Sequence, residues 1–266
     1  MKKVNIISGW SNPGGSTIHH INLTNMLNEG KYDCTFYGPH EWHLSQCKSN
    51  NINELLGQDP ALAADVTISH FCQLREKPKG KHILSLHETN LFPLKQLDLS
   101  QWDLVHYVSN RQRAWHNVNH PYVVIPGRTN KFKWEDPQNK VAGVVGSIDS
   151  HKQTHISIKR AFDAGYKKVK LFGEITELEY FNREIQGQLH TGKVEVMNHV
   201  DDREVMYGQV SAVFSSSKRE CLPTIQGECL YAGIPFFGLE SNLAKESDYE
   251  FDDSVIFKKW ESCFNV

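Results

Sequence analysis

At 266 residues, with 39% hydrophobic residues and a formal net charge of -2, the chain has room for one large or two small domains, and carries no global charge that would hold a nucleic acid or a membrane surface. No apolar run approaches the roughly 18 residues of a membrane-spanning helix, and the run in Met1-Lys-Lys-Val-Asn-Ile-Ile-Ser-Gly9 is too short for a signal peptide. The cysteines (34, 47, 72, 221, 229 and 263) are scattered with no Cys-x-x-Cys, which reads as reduced thiols in a cytoplasmic protein without a zinc site.

Val4-Asn-Ile-Ile7 predicts a buried first strand, followed by a glycine-rich loop, Ser8 to Thr17, and a helical stripe through Ile18, Ile21, Leu23, Met26 and Leu27. Gly14 and Gly15 let that loop bring its backbone close to a ligand, and Ser16 or Thr17 can cap the helix. The loop has neither the Gly-x-Gly-x-x-Gly of a dinucleotide site nor the Gly-Lys-Ser/Thr of a P-loop. Further strands are predicted at 34–37, 65–69, 82–86, 103–108 and 122–125. The stretch 42–58 reads as polar loop with a short helix at Leu55 and Leu56. Strands alternating with helical segments indicate a parallel, doubly wound sheet, in which ligands collect at the carboxyl ends of the strands. Gly14, Gly15, His70 and His87 would sit there.

The polar, turn-rich stretch 131–140 reads as a linker between a first domain, 1–130, and a second, 141–266. In the second, strands are predicted at 141–145, 168–172, 193–197 and 212–214, with helices between them. Asp201-Asp202 suits a helix cap and Asp252-Asp253 a solvated turn. The pairs His116/His120 and His151/His155 have helical metal spacing but no accompanying third ligand, and read as surface histidines. Two basic, aromatic-containing stretches, Arg111 to His116 and Lys131 to Trp134, have the composition for an anionic acceptor, but an ordinary helix and linker account for them better.

From Ala212-Val-Phe214 the chain leaves a strand into Ser215-Ser-Ser-Lys-Arg-Glu-Cys-Leu-Pro223. A short helix starts at Thr224 and stops at Gly233, before Ile234-Pro-Phe-Phe237 begins another strand. Glu220 lies in the loop before the helix and Glu228 about one turn in, with seven residues between them. A helix start offers unpaired N–H groups and the positive end of its dipole, which suits a phosphate. The carboxylates suit hydroxyls at either end of a ligand whose phosphate lies in its middle, such as a nucleotide-sugar.

Glu220, Glu228, Ala232, Gly233 and Pro235, with the preceding strand and serines, resemble the signature of the retaining, family 4-like glycosyltransferases (glycosyl transferases group 1). The chain departs from that pattern in Cys229 for Ala and in Leu222-Pro223 for the commoner Phe-Gly. Gly146 and Lys152 resemble the family's phosphate-clamping loop, with Ser147 at its Arg position and Gln153 at its second Gly. Arg128, Arg219 and Lys218 are the cations available to replace the missing Arg. The strand ending Leu-Ser-Leu-His87 resembles the one whose His faces the donor sugar. The resemblance implies a compact GT-B protein: two Rossmann-like α/β domains whose parallel sheets face across a cleft.

It also implies a metal-independent retaining hexosyltransferase that takes its sugar from a UDP or GDP donor and uses no cofactor. Glu220 would hold sugar hydroxyls and Glu228 the ribose. The amides of Leu222 and Thr224, with Lys152, would hold phosphate or sugar, while His87 would line the reaction centre and Gly14-Gly15 admit the donor. The acceptor could be a glycan, a lipid-linked glycan, a protein or modified nucleic acid. With the family's C-terminal helices expected to be mostly missing, a second copy in a homo-oligomer could supply contacts. A non-catalytic sugar-nucleotide or glycan-binding protein and a sugar-nucleotide epimerase share this architecture; a Rossmann-type oxidoreductase would need the absent dinucleotide fingerprint.

Overall fold

A computed structural model describes residues 1–10, 14–39, 41–52, 64–70, 72, 77–87, 89 and 98–265 of the chain. The expected short helix at Leu55 and Leu56 lies outside the described residues. The chain forms two units, one of Met1–Arg128 with Asp248–Val266 and the other of Thr129–Ser247.

The first unit is built on β1 (Lys2–Ser8), β2 (Tyr32–Gly38), β3 (Ser49–Asn51), β4 (Val66–His70), β5 (Lys81–Leu86), β6 (Leu104–Tyr107) and β7 (Tyr122–Val124). They pair in the order β3-β2-β1-β4-β5-β6-β7, every pair parallel. Ile6 sits in register with Phe36 on one side and Ile68 on the other. Helix α1 (Gly15–Glu29) follows β1 and buries Ile21, Leu23, Met26 and Leu27 against Val4, Ile6 and Phe36. Helix α2 (Asn110–His116) is capped by the Ser109 hydroxyl, which accepts from the Gln112 amide. The strand order reverses between β1 and β4, the topological switch point where doubly wound sheets bind ligands.

The second unit contains β8 (Val141–Val145), α3 (Thr154–Asp163), β9 (Lys168–Phe172), α4 (Leu178–Glu184), α5 (Gln186–Leu189), β10 (Val194–Asn198), α6 (Arg203–Tyr207), β11 (Ala212–Phe214), α7 (Thr224–Ala232) and β12 (Phe236–Phe237). Its parallel sheet runs β10-β9-β8-β11-β12, so its switch point lies between β8 and β11. One face packs Val144, Ile158, Ala161, Leu171 and Phe181, and the other Phe132, Tyr207, Val213 and Cys229.

Two domain expectations are corrected. The stretch 131–140 is part of the second unit rather than a free linker: Phe132 is buried against Tyr207, ring centroids 4.9 Å apart, and the Trp134 indole N–H donates to the Tyr207 and Val210 carbonyls. The end of the chain, expected in the second domain, belongs to the first. There α8 (Asp253–Phe264) buries Ile256, Trp260, Cys263 and Phe264 in the same core as Val4, Leu27 and Phe36. Asp252, expected in a solvated turn, caps this helix by accepting from the Ser254 amide at 2.8 Å, while Asp253 binds Arg128. Asp202 caps α6, as its sequence position suggests.

Candidate functional site

The second unit places two loops side by side at the carboxyl ends of β8 and β11. After β8 the chain turns through Gly146, whose φ of 128° suits glycine alone. Gly146 donates to the Phe172 carbonyl, and a Cβ on Gly173 would lie 2.0 Å from the Gly146 oxygen. The loop stays flat against the end of β9 for that reason. Ser147, at the family's Arg position, donates its hydroxyl to Asp149, which also accepts from the Lys152 amide.

This loop is tied to the one after β11. The Lys218 amide donates to the His151 carbonyl, and His151 Nε2 donates to the Arg219 carbonyl at 3.1 Å. Lys152 Nζ meets Glu220 Oε1 at 2.6 Å. Arg160, reaching up from α3, spends its guanidinium on the carbonyls of Ser215 and Gly238 and on the Ser216 hydroxyl, which pins the ends of β11 and β12. Arg128, one of the cations weighed against the missing Arg, is held in the other unit by Asp253 at 2.8 Å.

Helix α7 starts at the same end of the sheet. Pro223 is its N-cap residue and no side chain caps it, and its first turn carries no acidic residue. The N–H groups at Thr224 and after it are therefore left for a ligand. Thr224 is exposed and Leu222 half-buried. Helix α7 ends at Gly233 (φ 77°), whose N–H donates to the Cys229 carbonyl.

The two glutamates differ. Burial pushes the Glu220 carboxyl up, but the charge and hydrogen bond of Lys152, with help from Ser217 and His151, outweigh it and hold it below the usual glutamate value. The folded group gives up its proton more readily than the unfolded one, so its stabilisation is complete above about pH 4.5 and is lost as pH falls through the lower folded value. The stability gap between wild type and Glu220→Gln should therefore shrink as the pH is taken below 4.5, read from urea unfolding midpoints. A gap that widens with acid would show that Glu220 is not held ionised.

Glu228 is 2% exposed and already engaged. One of its oxygens accepts from Asn130 Nδ2 at 2.6 Å and Arg203 Nε at 3.0 Å, and the other from the Tyr207 hydroxyl at 2.7 Å. Burial, then the Glu228 charge, raises the Tyr207 phenol well above its ordinary value, so it stays a donor. Asn130, Arg203 and Tyr207 were not read from the sequence as site residues. A carboxylate offers about four lone-pair sites, which leaves one for a ribose hydroxyl.

The first unit presents its own group at the carboxyl end of its sheet. Gly14 is the N-cap residue of α1, Gly15 its first residue, and no side chain caps this helix either. Ser16 and Thr17, expected as caps, lie inside the helix. Beyond them the rings of His19, His20, His70, His87 and His106 crowd together. His87 lies 4.6 Å from His19, 4.9 Å from His20, 5.3 Å from His70 and 6.1 Å from His106, centroid to centroid.

The hydrogen bonds settle part of the proton placement. His106 Nε2 donates to the Ile125 carbonyl at 2.8 Å, so its Nδ1 accepts from the Ser85 hydroxyl at 3.0 Å. Ser85 Oγ in turn faces His87 Nε2 at 3.2 Å and His20 Nε2 at 3.4 Å. Burial, and then mutual repulsion, holds His19, His20 and His87 well below the usual imidazole range, and burial holds His106 at about 4.

The histidine pairs with helical spacing read from the sequence as surface groups. His116, expected at the surface, is buried against Tyr107, and His155 pairs with the Tyr180 hydroxyl at 2.7 Å.

No protein-family model matches the chain, and no curated protein matches it by sequence. Solved structures do. HepE from Anabaena, in complex with UDP and glucose, superposes with a TM-score of 0.68 at 13% identity, over 91% of this chain and 82% of that one. AviGT4, a glycosyltransferase involved in avilamycin A biosynthesis, gives 0.63 at 17% identity over 98% and 88%. A TarM mutant from S. aureus, in complex with fondaparinux, alpha-GlcNAc-glycerol and UDP, gives 0.75 at 9% identity over 100% of both chains.

The fold is that of the GT-B glycosyltransferases. The two parallel sheets, of seven and five strands, are its two Rossmann-like halves. No helix among the described residues is long and apolar enough to cross a membrane.

Proposed function

We propose that the chain transfers a hexose, with retention, from a nucleoside-diphosphate sugar to an acceptor hydroxyl. The observation that carries this reading is the constellation at the β8/β11 switch point. There the Lys152–Glu220 pair joins two adjacent loops, and helix α7 adds its uncapped N-terminus and the buried Glu228. The helix N-terminus offers N–H groups to a diphosphate, and Lys152 adds a cation. Glu220 accepts from sugar hydroxyls and Glu228 uses its remaining lone pair on the ribose. In the first unit the reading gives His87 to the reaction centre and Gly14 and Gly15 to close approach of the donor. HepE and the TarM mutant were each solved with UDP bound, which favours a uridine donor. The leaving diphosphate is stabilised by protein donors, without a divalent ion.

The test is a thermal-shift panel of UDP, GDP, ADP, CDP and NAD, each with and without EDTA, followed by donor turnover with the nucleotide that binds. A melting increment for UDP that EDTA leaves intact, with slow release of UDP from its sugar, is expected. A UDP increment without turnover would favour a binding protein, a reading to which Ser147 and the engaged Arg128 and Arg160 lend support. An increment for NAD alone would overturn both.

A further inference from the structure

The histidine cluster of the first unit has no part in holding a diphosphate, and its geometry has a chemistry of its own. We propose that His19, His87 and His106 form a binding site for a first-row divalent transition metal of the zinc class. Among the described residues these three each offer a ligand atom within 4.8 Å of the others. His87 follows β5 and His106 lies on its neighbour β6, and His19 of α1 brings its ring within 4.6 and 5.5 Å of theirs.

Two further observations point to a metal rather than a packed core. His19 Nε2 is buried with no hydrogen-bond partner, an expensive state for a polar nitrogen. His106 gives its Nε2–H to the Ile125 carbonyl, the outer hydrogen bond that metal-ligating imidazoles usually make, which leaves Nδ1 as its acceptor nitrogen; the Ser85 hydroxyl that donates to it would turn away when a metal binds. The backbone also makes room: a Cβ on Gly127 would lie 2.7 Å from His19 Nδ1.

An all-imidazole set suits zinc, cobalt, nickel or copper, and is a poor match for magnesium or calcium, which take oxygen ligands. No carboxylate among the described residues joins the group. A further ligand would complete the coordination, the neighbouring His20 and His70 imidazoles, water and a small anion being candidates. His87 belongs to both readings, and a bound ion would hold its imidazole away from a sugar hydroxyl. The proposal otherwise stands apart from glycosyl transfer, since it uses only side chains of the first unit.

The test uses the full, untagged chain, stripped with a chelator and titrated with Co²⁺ and then Zn²⁺. Stoichiometric Co²⁺ should produce the visible absorption of a tetrahedral nitrogen site, zinc should abolish it, and zinc alone should raise the melting temperature. His19→Gln should lose more affinity than the ~10–100-fold that removal of an outer partner costs. His190→Ala, at an exposed position, should bind as wild type. An absent tetrahedral spectrum, or one that survives His19→Gln, overturns the site. Should His19→Gln fail to fold, histidine ¹⁵N spectra of the wild type decide. Zinc must shift His19, His87 and His106, and shifts confined to exposed histidines such as His151 and His190 overturn the site equally.

Discussion

Glu220→Gln should lower sugar transfer by about 10²–10³-fold while leaving UDP affinity nearly unchanged. The substitution preserves shape and an oxygen that can still accept from Lys152, 2.6 Å away in the wild type. What it removes is charge. A glycosyl centre becomes oxocarbenium-like as the leaving group departs, and a partly buried carboxylate favours that state far more than it does the ground state. Lys152 would meanwhile lose the charge that holds it and remain free to follow the diphosphate. The loss should therefore fall on kcat, with KM for the donor changed little. Steady-state kinetics with UDP-sugars, alongside UDP binding by calorimetry, check this. Wild-type turnover in the variant would remove Glu220 from the chemistry.

Glu228→Ala should be chiefly a stability mutant. In the fold it is the shared acceptor of Asn130, Arg203 and Tyr207, and the Arg203 side chain is only 15% exposed. Truncation leaves that guanidinium buried without its counter-charge and the Tyr207 hydroxyl without its acceptor. Breaking a buried pair from one side costs about 3–5 kcal/mol. Urea unfolding should show a fall of that order in the midpoint-derived stability. Glu228→Gln, whose one amide oxygen still accepts from Asn130 and Arg203 while its NH2 can donate to the Tyr207 oxygen, should lose less. A loss under about 1 kcal/mol for the alanine would mean that Arg203 and Tyr207 find other partners. Weakened nucleotide binding in Glu228→Ala can be ascribed to a lost ribose contact only at temperatures where the variant is still folded.

The parallel sheets were legible because their strands are buried on both faces and so read as continuous apolar runs, Val4-Asn-Ile-Ile7 and Val141 to Val145 among them. β3, made of Ser49-Asn-Asn51, carries no such run, since an edge strand has one neighbour and little to bury. Helix α8 went unread because Lys258, Lys259 and Glu261 break up its apolar stretch, although Ile256, Trp260, Cys263 and Phe264 fall on one helical face.

The candidate site divides in the same way. Glu220 and Glu228 stand out through local spacing, and Lys152 through its loop. That Lys152 and Glu220 touch follows only from the adjacency of β8 and β11, which spacing does not encode. His19, His87 and His106 are far apart in the chain and meet because α1, β5 and β6 converge at one end of the sheet; the histidine pairs with regular spacing proved to be elsewhere.

The first unit takes its last helix from the far end of the chain, while Thr129–Ser247 is one uninterrupted segment. During synthesis the uninterrupted segment can complete its core while the amino-terminal sheet still lacks Trp260 and Phe264. Assembly order is therefore expected to run against translation order, with the earlier-made half finishing last. Chains cut before Asp253 should lose protease resistance in the amino-terminal half and retain it between Thr129 and Ser247. A defect at the final helix would thus be felt by the first strands made.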